Sequence, residues 1–427
     1  MVISDIMHTS FLNRWWFWPI FIGLVVRLVL MPITYHPDLL GHSSVAFFLA
    51  QEGVANPYDH LANLPAEHPL VKNFGVSDIF IYPPLTYFTL GTFRLLVKPF
   101  TNPDFIPEVW QDPGELLDRG DLFWHLFIFK LPYVFFDVGS AFLLAGLFNV
   151  IKQKTLVVWL WMLNPLAIYA TFMLGQLDLL PTFFVVLALY MAKRSQANLA
   201  LLSLGIGASF KMFPILFVIP LACYLTKSLG GRLKLVFLGV LPFILTVGPF
   251  LATPAFREMV LFSPKSQKML FMVWKMTSAE GIYPFVLFLA FIYLASFYLS
   301  KINIYKVFLG ILILIFSVTH YHPQWFLWLT PLLVIEMVNS QFKYWFIHLT
   351  LFTTWLVLTL FFEPSLSIGL FAPLSKNMAE AVGFAKTLSP YTDIFQLTSL
   401  VRTVFAAFGA FLVYHAFSVK SQTRTHV

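Results

Sequence analysis

The segment TYHPDLLGHSS, from Thr34 to Ser44, places a carboxylate between two histidines directly after the first long apolar run. Asp38 is a candidate general base, since a positioned carboxylate can take a proton from a substrate hydroxyl. Asp is equally a preferred residue at the N-terminal cap of a helix. The residues after Asp38 resemble an amphipathic helix lying in a membrane interface. From residue types alone both roles stay open, and capping is favoured.

Further polar groups stand at the ends of apolar runs, where they are costly in a membrane and are therefore candidates for function. They occur in MLGQLDLLP with Gln176 and Asp178, SFKMFP with Lys211, FSPKSQKML with Lys265 and Lys268, and THYHPQW with His320, His322 and Gln324.

Each of these groups also has a structural alternative. Gln176 and Asp178 are as consistent with a turn as with a binding site, and Lys211 can extend its ammonium group to the interface from an apolar helix. Lys130 and Asp137 are seven residues apart on one helical face, and we expect a structural ion pair between them. The histidine pairs lack the ligand pattern of a zinc site, so we predict that no metal is bound.

The composition requires that these groups be positioned by membrane helices. Of the 427 residues, 59% are hydrophobic and 11% are charged, whereas soluble proteins have about 25% charged residues. Repeated apolar runs of about twenty residues predict an all-α polytopic membrane protein. The single cysteine excludes an internal disulfide bond. We expect one integral-membrane domain over residues 1–427, with a first outer loop at 35–125.

The apolar runs predict about twelve transmembrane helices. The expected spans are Trp16–Thr34, Phe127–Val150, Leu156–Met173, Leu179–Met191, Ala197–Phe210, Phe213–Leu225, Leu235–Leu251, Tyr283–Leu299, Val307–Val318, Trp325–Val338, Tyr344–Phe362 and Leu397–Phe417. Phe213–Leu225 follows Lys211 so closely that it and Ala197–Phe210 are either two helices or one broken helix.

Charge asymmetry predicts the orientation of these spans. With both termini inside, the inside loops contain most of the basic residues, as the positive-inside rule requires. These residues are Arg14, Lys152, Lys154, Lys193, Arg194, Lys227, Arg232, Lys234, Lys301, Lys343, Lys420 and Arg424. The acidic stretch Asp104–Asp121 then lies outside, provided that Pro84–Val97 lies in the interface and does not cross. All of the unusual polar segments gather on the outer side.

A carboxylate together with cations and amide donors, surrounded by apolar helices, suits an anionic lipid headgroup. The cations would stabilise a phosphate leaving group while the carboxylate deprotonates an acceptor hydroxyl. The alternative is a transporter or flippase of a lipid-linked or anionic solute. Transporters usually consist of two repeated halves with a midplane site, a pattern that this sequence lacks.

The order of motifs resembles the GT-C superfamily of glycosyltransferases that use polyprenyl-phosphate sugars. YPPLTYFTL at Tyr82–Leu90 and FTNPDFI at Phe100–Ile106 are similar to the dolichyl-phosphate-glucose glucosyltransferases of N-glycan assembly. LNPLAIYATFMLGQLD, SFKMFP and PQWFLWLTPLL resemble those enzymes, GPI mannosyltransferase I and bacterial polyprenol-phosphate-mannose mannosyltransferases. The resemblance covers about Asp38 to Leu333.

This resemblance implies a helical bundle with interfacial helices in the first outer loop and an inverting transfer of mannose or glucose. It implies that Asp38 is the base, that no cofactor is required, and that the partners are a polyprenyl-phosphate sugar, a lipid-linked or glycan acceptor and membrane lipid, without nucleic acid. The expected substrate-binding residues are Tyr82, Gln176, Asp178, Lys211, Lys265, His320, His322 and Gln324. The paired acids of related metal-dependent enzymes are reduced here to the single carboxylate of HPD.

The short inside loops favour a prokaryotic plasma membrane, with the active site on its outer face. The alternative location is the endoplasmic reticulum membrane. The sequence identifies neither the sugar, the acceptor nor the oligomeric state.

Overall fold

The protein was analysed as a computed structural model that describes residues 11–75, 79–298 and 303–418. The chain is 74% helical. Within the described ranges, the only strands are β1 (Trp274–Lys275) and β2 (Gly281–Ile282), which form a short antiparallel hairpin. The predicted all-α membrane fold is confirmed.

The helices follow one another with short connections. Those of the first third of the chain are α1 Phe17–Ile33, α2 Pro37–Glu52, α3 Pro57–Ala62, α4 Pro69–Phe74, α5 Pro84–Val97 and α6 Phe105–Gln111. Next come α7 Leu122–Lys130, α8 Tyr133–Gly146, α9 Ile151–Met162, α10 Pro165–Ala167, α11 Leu179–Lys193, α12 Ala197–Phe210, α13 Val218–Leu225 and α14 Leu229–Val247. The last are α15 Pro254–Phe256, α16 Pro284–Tyr298, α17 Ile304–Val318, α18 Thr330–Asn339, α19 Trp345–Leu360, α20 Phe384–Leu388 and α21 Ile394–Ser418.

Four helical segments of the described chain are long and apolar enough to cross a membrane, and a bent pair raises the number to five. The four are Leu122–Gly146, Ile151–Met173, Leu229–Phe250 and Ile394–His415. In the bent pair, α1 and α2 meet at an angle of 85°. Six further apolar helices have 10–17 residues each, so the predicted number of about twelve spans is not confirmed.

The first outer loop has a hydrophobic core of its own. The indole of Trp110 packs against the rings of Phe47 and Phe48 from α2, while Tyr58 packs against Phe256 from a later loop. Burial of such large rings stabilises the loop as a folded unit beside the helical bundle.

Helix α5 lies against α2 and has the bounds that the sequence predicts. Its 14 residues extend about 21 Å, which is shorter than the roughly 30 Å hydrocarbon core of a bilayer. A Cβ atom on Gly91 would come within 2.2 Å of the Leu49 side chain, so the two helices are in close contact there. The helix that carries Asp38 therefore rests on a short helix, whose placement in the interface stays a prediction.

A buried ion pair joins α1 to α8. Arg27 Nε lies 2.6 Å from Asp137 Oδ2, and the indole N–H of Trp161 donates to Asp137 Oδ1 at 3.0 Å. The expected pairing of Asp137 with Lys130 is therefore wrong. Seven residues place the two side chains on one helical face, but Arg27 approaches from the neighbouring helix and occupies the carboxylate.

Some predicted features lie outside the described residues. These are Lys301, Lys420, Arg424 and the end of the eighth predicted span at Leu299. The orientation of the bundle stays a prediction based on the remaining charges.

Labelling of introduced cysteines tests this orientation, with Cys223 replaced beforehand. In sealed vesicles whose cytoplasmic face points outward, we expect Lys152→Cys to react with an impermeant thiol reagent. Asp112→Cys should react only after permeabilisation, because the acidic stretch lies on the opposite face. Both positions are exposed in the fold, which makes them matched reporters. Immediate reaction of Asp112→Cys would show that Pro84–Val97 crosses the membrane.

Candidate active site

The start of α2 distinguishes between the two roles considered for Asp38. The cap is His36, whose Nδ1 accepts a hydrogen bond from the backbone N–H of Asp38 at 3.2 Å, and Pro37 occupies the first helical position. Asp38 stands one residue later, and its side chain is 47% exposed. The interpretation of Asp38 as the helix cap is therefore wrong, because the imidazole of His36 caps the helix.

The carboxylate of Asp38 is oriented by the segment GQLD. The Gln176 side-chain amide donates to Asp38 Oδ2 at 2.6 Å. Gly175 has φ +74°, and a Cβ atom there would lie 2.8 Å from the Leu39 side chain. Only glycine adopts this turn freely and leaves room for α2, so Gly175 brings Gln176 to the carboxylate.

The surroundings favour the ionised form of this carboxylate. Burial alone raises the pKa of Asp38, but the imidazoles of His36 and His42 and the hydrogen bond from Gln176 outweigh it. The pKa of Asp38 is lowered below its ordinary value of 3.8. Asp38 is consequently a carboxylate at neutral pH and can accept a proton.

Asp38 opens into a cavity of about 270 Å³ between the first outer loop and the helical bundle. Cationic and aromatic side chains from three later segments line the cavity with it. The lining residues that carry polar groups or rings include Asp38, His42, Ser44, Phe74, Tyr82, Lys211, Lys265, Lys268, His322, Gln324 and Trp325. One carboxylate thus shares a cavity with three ammonium groups.

Lys211 is fixed at the end of α12. Its ammonium nitrogen lies 2.7 Å from Asp178 Oδ1, which also accepts the indole N–H of Trp328 at 2.6 Å. The rings of Tyr82, Trp325 and Trp328 surround the same nitrogen at 5.1–5.4 Å. Asp178 is fully buried, does not line the cavity and holds the ammonium group of Lys211 in place.

Lys265 and Lys268 extend the positive charge along the wall. Burial, followed by the charges of Lys265 and Lys211, lowers the pKa of Lys268. A buried cation beside other positive charges is stabilised when an anion binds next to it. The FSPKSQKML segment therefore places Lys268 beside the predicted Lys265 on the cavity wall.

Only some of the predicted residues of the THYHPQW segment line the cavity. His322 and Gln324 line the cavity, whereas His320 is exposed and its ring packs at 5.8 Å from that of Phe362. Burial and the charge of Lys268 lower the pKa of His322 to about 4. At neutral pH His322 is therefore a neutral hydrogen-bonding group. His320 does not line the cavity, although its ring centroid lies only 6.1 Å from that of His322.

A second cavity of about 90 Å³ adjoins the first and shares Tyr82 and the three lysines with it. Its remaining walls are largely apolar. They comprise Ile81, Pro83, Met212, Phe213, Ser266, Met269, Trp325 and Trp328. The lysines consequently lie between a polar chamber and an apolar one.

The lining residues missing from the predicted substrate-binding set include His42, Lys268 and Trp325. His42 lies four residues after Asp38, which places both on one face of α2, and this spacing was visible in the sequence. Trp325 lies three residues after His322 in the segment that was singled out. The contact between its ring and the ammonium group of Lys211 could not be predicted from the sequence, because α12 and the later loop are far apart in the chain.

The ammonium group of Lys130 joins the two segments that form the base. It donates to the carbonyl of Met31 at 2.9 Å, to that of Met173 at 3.2 Å and to that of Thr34. Met31 and Thr34 precede Asp38, and Met173 precedes Gln176. A single buried side chain thus fixes the spacing between the carboxylate and its hydrogen-bond donor.

Within the described residues no group of three or more His, Cys, Asp or Glu side chains could hold a metal ion. Metal and cofactor independence stays a prediction.

Comparison with known proteins gave matches to part of the chain. GPI mannosyltransferase 1 of Kluyveromyces lactis is 31% identical over 107 residues, 24% of this chain and 26% of that enzyme. The same enzyme from Eremothecium gossypii is 26% identical over 28% of this chain and 31% of its own length. That of Dictyostelium discoideum is 29% identical over 24% of each chain. No family model matches.

The chain resembles a GT-C glycosyltransferase. This similarity supports the resemblance predicted from the motifs. The match spans only about a quarter to a third of the length of these curated relatives.

The similarity also corrects the predicted location. The three relatives are eukaryotic proteins, so the prediction of a prokaryotic plasma membrane is wrong. The length of the predicted inside loops therefore does not indicate the host organism.

Replacement of Lys130 tests whether the base is held in this way. Lys130→Met removes the donor and leaves up to three buried carbonyl groups unpaired, each at a cost of about 1–3 kcal/mol. We expect a large drop in the thermal unfolding temperature. Lys193→Met is the matched control, since Lys193 also donates to a carbonyl, that of Leu147, but at a partly exposed position where water can replace it. Equal stability of the two variants would contradict the assignment.

Proposed function

We propose that the protein transfers a mannosyl residue from a polyprenyl-phosphate mannose to a hydroxyl of a lipid-linked acceptor. The reaction would take place at the non-cytoplasmic face of a eukaryotic internal membrane, the endoplasmic reticulum, and would invert the anomeric centre. The observation that carries this proposal is the shared cavity, in which an ionised carboxylate faces three ammonium groups at the mouth of an apolar chamber.

The donor fits the order of these chambers. A phosphate at Lys211, Lys265 and Lys268 would have its sugar in the larger cavity and the first isoprene units in the apolar cavity. Charge-assisted hydrogen bonds from ammonium groups are among the strongest contacts for phosphate. This arrangement of a base, three cations and an adjoining apolar cavity supports a polyprenyl-phosphate sugar as the donor.

The step needs no reactant other than donor and acceptor. The acceptor hydroxyl gives its proton to Asp38 as its oxygen forms a bond to the anomeric carbon. The bond between that carbon and the phosphate oxygen breaks, and its electron pair leaves with the phosphate. The lysines stabilise the charge that develops on the phosphate. Attack from the side opposite the leaving group inverts the configuration.

The geometry around Asp38 favours a base over a nucleophile. Gln176 holds one carboxylate oxygen at 2.6 Å, so the group has a fixed direction and one oxygen remaining for a hydroxyl. Orientation by a neighbouring donor is what general-base catalysis requires. Similarity to transferases also favours this reaction over transport of an anionic solute.

Reconstitution with a panel of substrates tests the proposal. The purified protein would receive radiolabelled polyprenyl-phosphate mannose or glucose together with an inositol glycolipid bearing a terminal sugar. We expect transfer from the mannose donor at least about tenfold faster than from glucose, with release of polyprenyl phosphate. Movement of the intact lipid-linked sugar across a proteoliposome, without any transfer to the acceptor, would instead support a flippase.

Single lysine variants test the phosphate assignment. Lys265→Met should raise the Michaelis constant for the donor by about tenfold to hundredfold, the effect of losing one charge-assisted hydrogen bond. The maximal rate should change less, and the unfolding temperature should stay within a few degrees. Lys275→Met is the matched control, since Lys275 lies in the exposed hairpin outside both cavities. Unchanged donor constants for Lys265→Met and Lys268→Met would overturn the assignment.

A further inference from the structure

Helix α5 carries a buried cation that the proposed reaction does not use. Tyr87, Leu90, Gly91 and Arg94 lie on its buried face, at the three-and-four spacing of one helical stripe. Arg94 is only 3% exposed. Such a buried position on a helix is usually occupied by an apolar residue, and here it is occupied by an arginine.

The guanidinium group of Arg94 has no hydrogen-bond partner for any of its three nitrogen atoms among the described residues. The guanidinium carbon lies over the Phe129 ring, 4.9 Å from the ring centroid, in a cation–π contact. Burial lowers the pKa of Arg94 to about 10, so the group stays cationic at neutral pH. An uncompensated buried charge costs several kcal/mol, a cost that a bound anion removes.

A cavity of about 30 Å³ lies against this guanidinium group. It is distinct from the two cavities of the active site and is enclosed by α2, α5 and the turn between α7 and α8. Its lining includes Leu39, His42, Ser43, Phe93, Phe129 and Tyr133.

His42 supplies a second independent observation. Its ring is 4% exposed, its Nδ1 has no hydrogen-bond partner among the described residues, and the residue borders both this cavity and the one that holds Asp38. Arg94 and His42, two deeply buried residues with unpaired nitrogen atoms, therefore both border one small cavity.

We propose that this cavity binds a phosphate group, with Arg94 as its principal ligand and His42 as its neighbour. An arginine fork matches the geometry of phosphate oxygens, and the apolar remainder of the lining suits a lipid that enters from the interface. The site is separate from the donor phosphate and does not rest on the proposed transfer reaction. Its occupant would brace α2 against α5.

Thermal unfolding with defined phosphate probes tests this site. The full chain would carry Lys265→Met and Lys268→Met, so that the active-site cavity no longer dominates phosphate binding. Inorganic phosphate and dihexanoyl phosphatidic acid would be titrated separately, with dihexanoylglycerol as the uncharged comparison. We expect saturable stabilisation by at least one phosphate probe and none by dihexanoylglycerol.

Arginine variants in the same background assign the effect. Arg94→Met should raise the half-saturating probe concentration by at least about tenfold, the loss expected for a charge-assisted contact. Lys98→Met is the matched control, since it removes an exposed positive charge at the end of the same helix and should change the value less than about twofold. Arg94→Lys keeps the charge without the fork and should fall between the two.

The outcomes separate the sources of phosphate. Stabilisation by phosphatidic acid alone identifies a lipid headgroup, and stabilisation by inorganic phosphate as well identifies an aqueous anion. If neither probe stabilises the background protein, the proposal is overturned whatever the folding of the arginine variants. Equal effects of Arg94→Met and Lys98→Met would also overturn it, since the binding would then be general surface attraction.

Discussion

The active-site geometry depends on one buried ammonium group that binds backbone and no carboxylate. Lys130 donates to carbonyls at the end of α1 and at the end of the segment before Gly175. Both chain segments leave their helices at these carbonyls, so their last peptide groups lack intrahelical partners and are available to an outside donor. Placing one ammonium between them satisfies both ends and sets Asp38 within 2.6 Å of Gln176. A neutral residue there would leave each segment free to turn independently.

A second constraint is the placement of the negative and positive charges around the cavity. Asp178 pairs with Lys211 beneath the wall, which fixes the direction of that ammonium and offsets much of its charge. Lys265 and Lys268 stand on a loop beside it, and burial together with the neighbouring positive charges lowers the pKa of Lys268. Asp38 is reached from the other side, through α2. The base and the cations therefore reach the cavity from different segments of the chain.

The sequence predicted the elements better than it predicted the partners. The bounds of α5 followed from Pro83-Pro84 at its start and from its position before a charged stretch, both local signals. The partner of Asp137 did not follow, because Arg27 reaches it from a different helix. His36 as the cap was also missed: Asp is the commoner cap, but Pro37 moves the start of the helix one residue earlier. Of the predicted binding residues, Tyr82, Lys211, Lys265, His322 and Gln324 line the cavity, whereas Gln176, Asp178 and His320 do not. Tertiary packing sets the direction of each side chain, and the sequence does not show it.

The kinetics of Asp38→Asn test the role of the base most directly. His36 supplies the cap and Asn can still accept the Gln176 amide, so the variant should keep its unfolding temperature and its affinity for the donor. An amide cannot take the acceptor proton, and loss of general-base catalysis lowers rates by about 10²–10⁴-fold. A folded Asp38→Asn protein that binds donor normally and transfers mannose at least about a hundredfold more slowly is the predicted result. Transfer near the wild-type rate would contradict it and leave Asp38 without a chemical role.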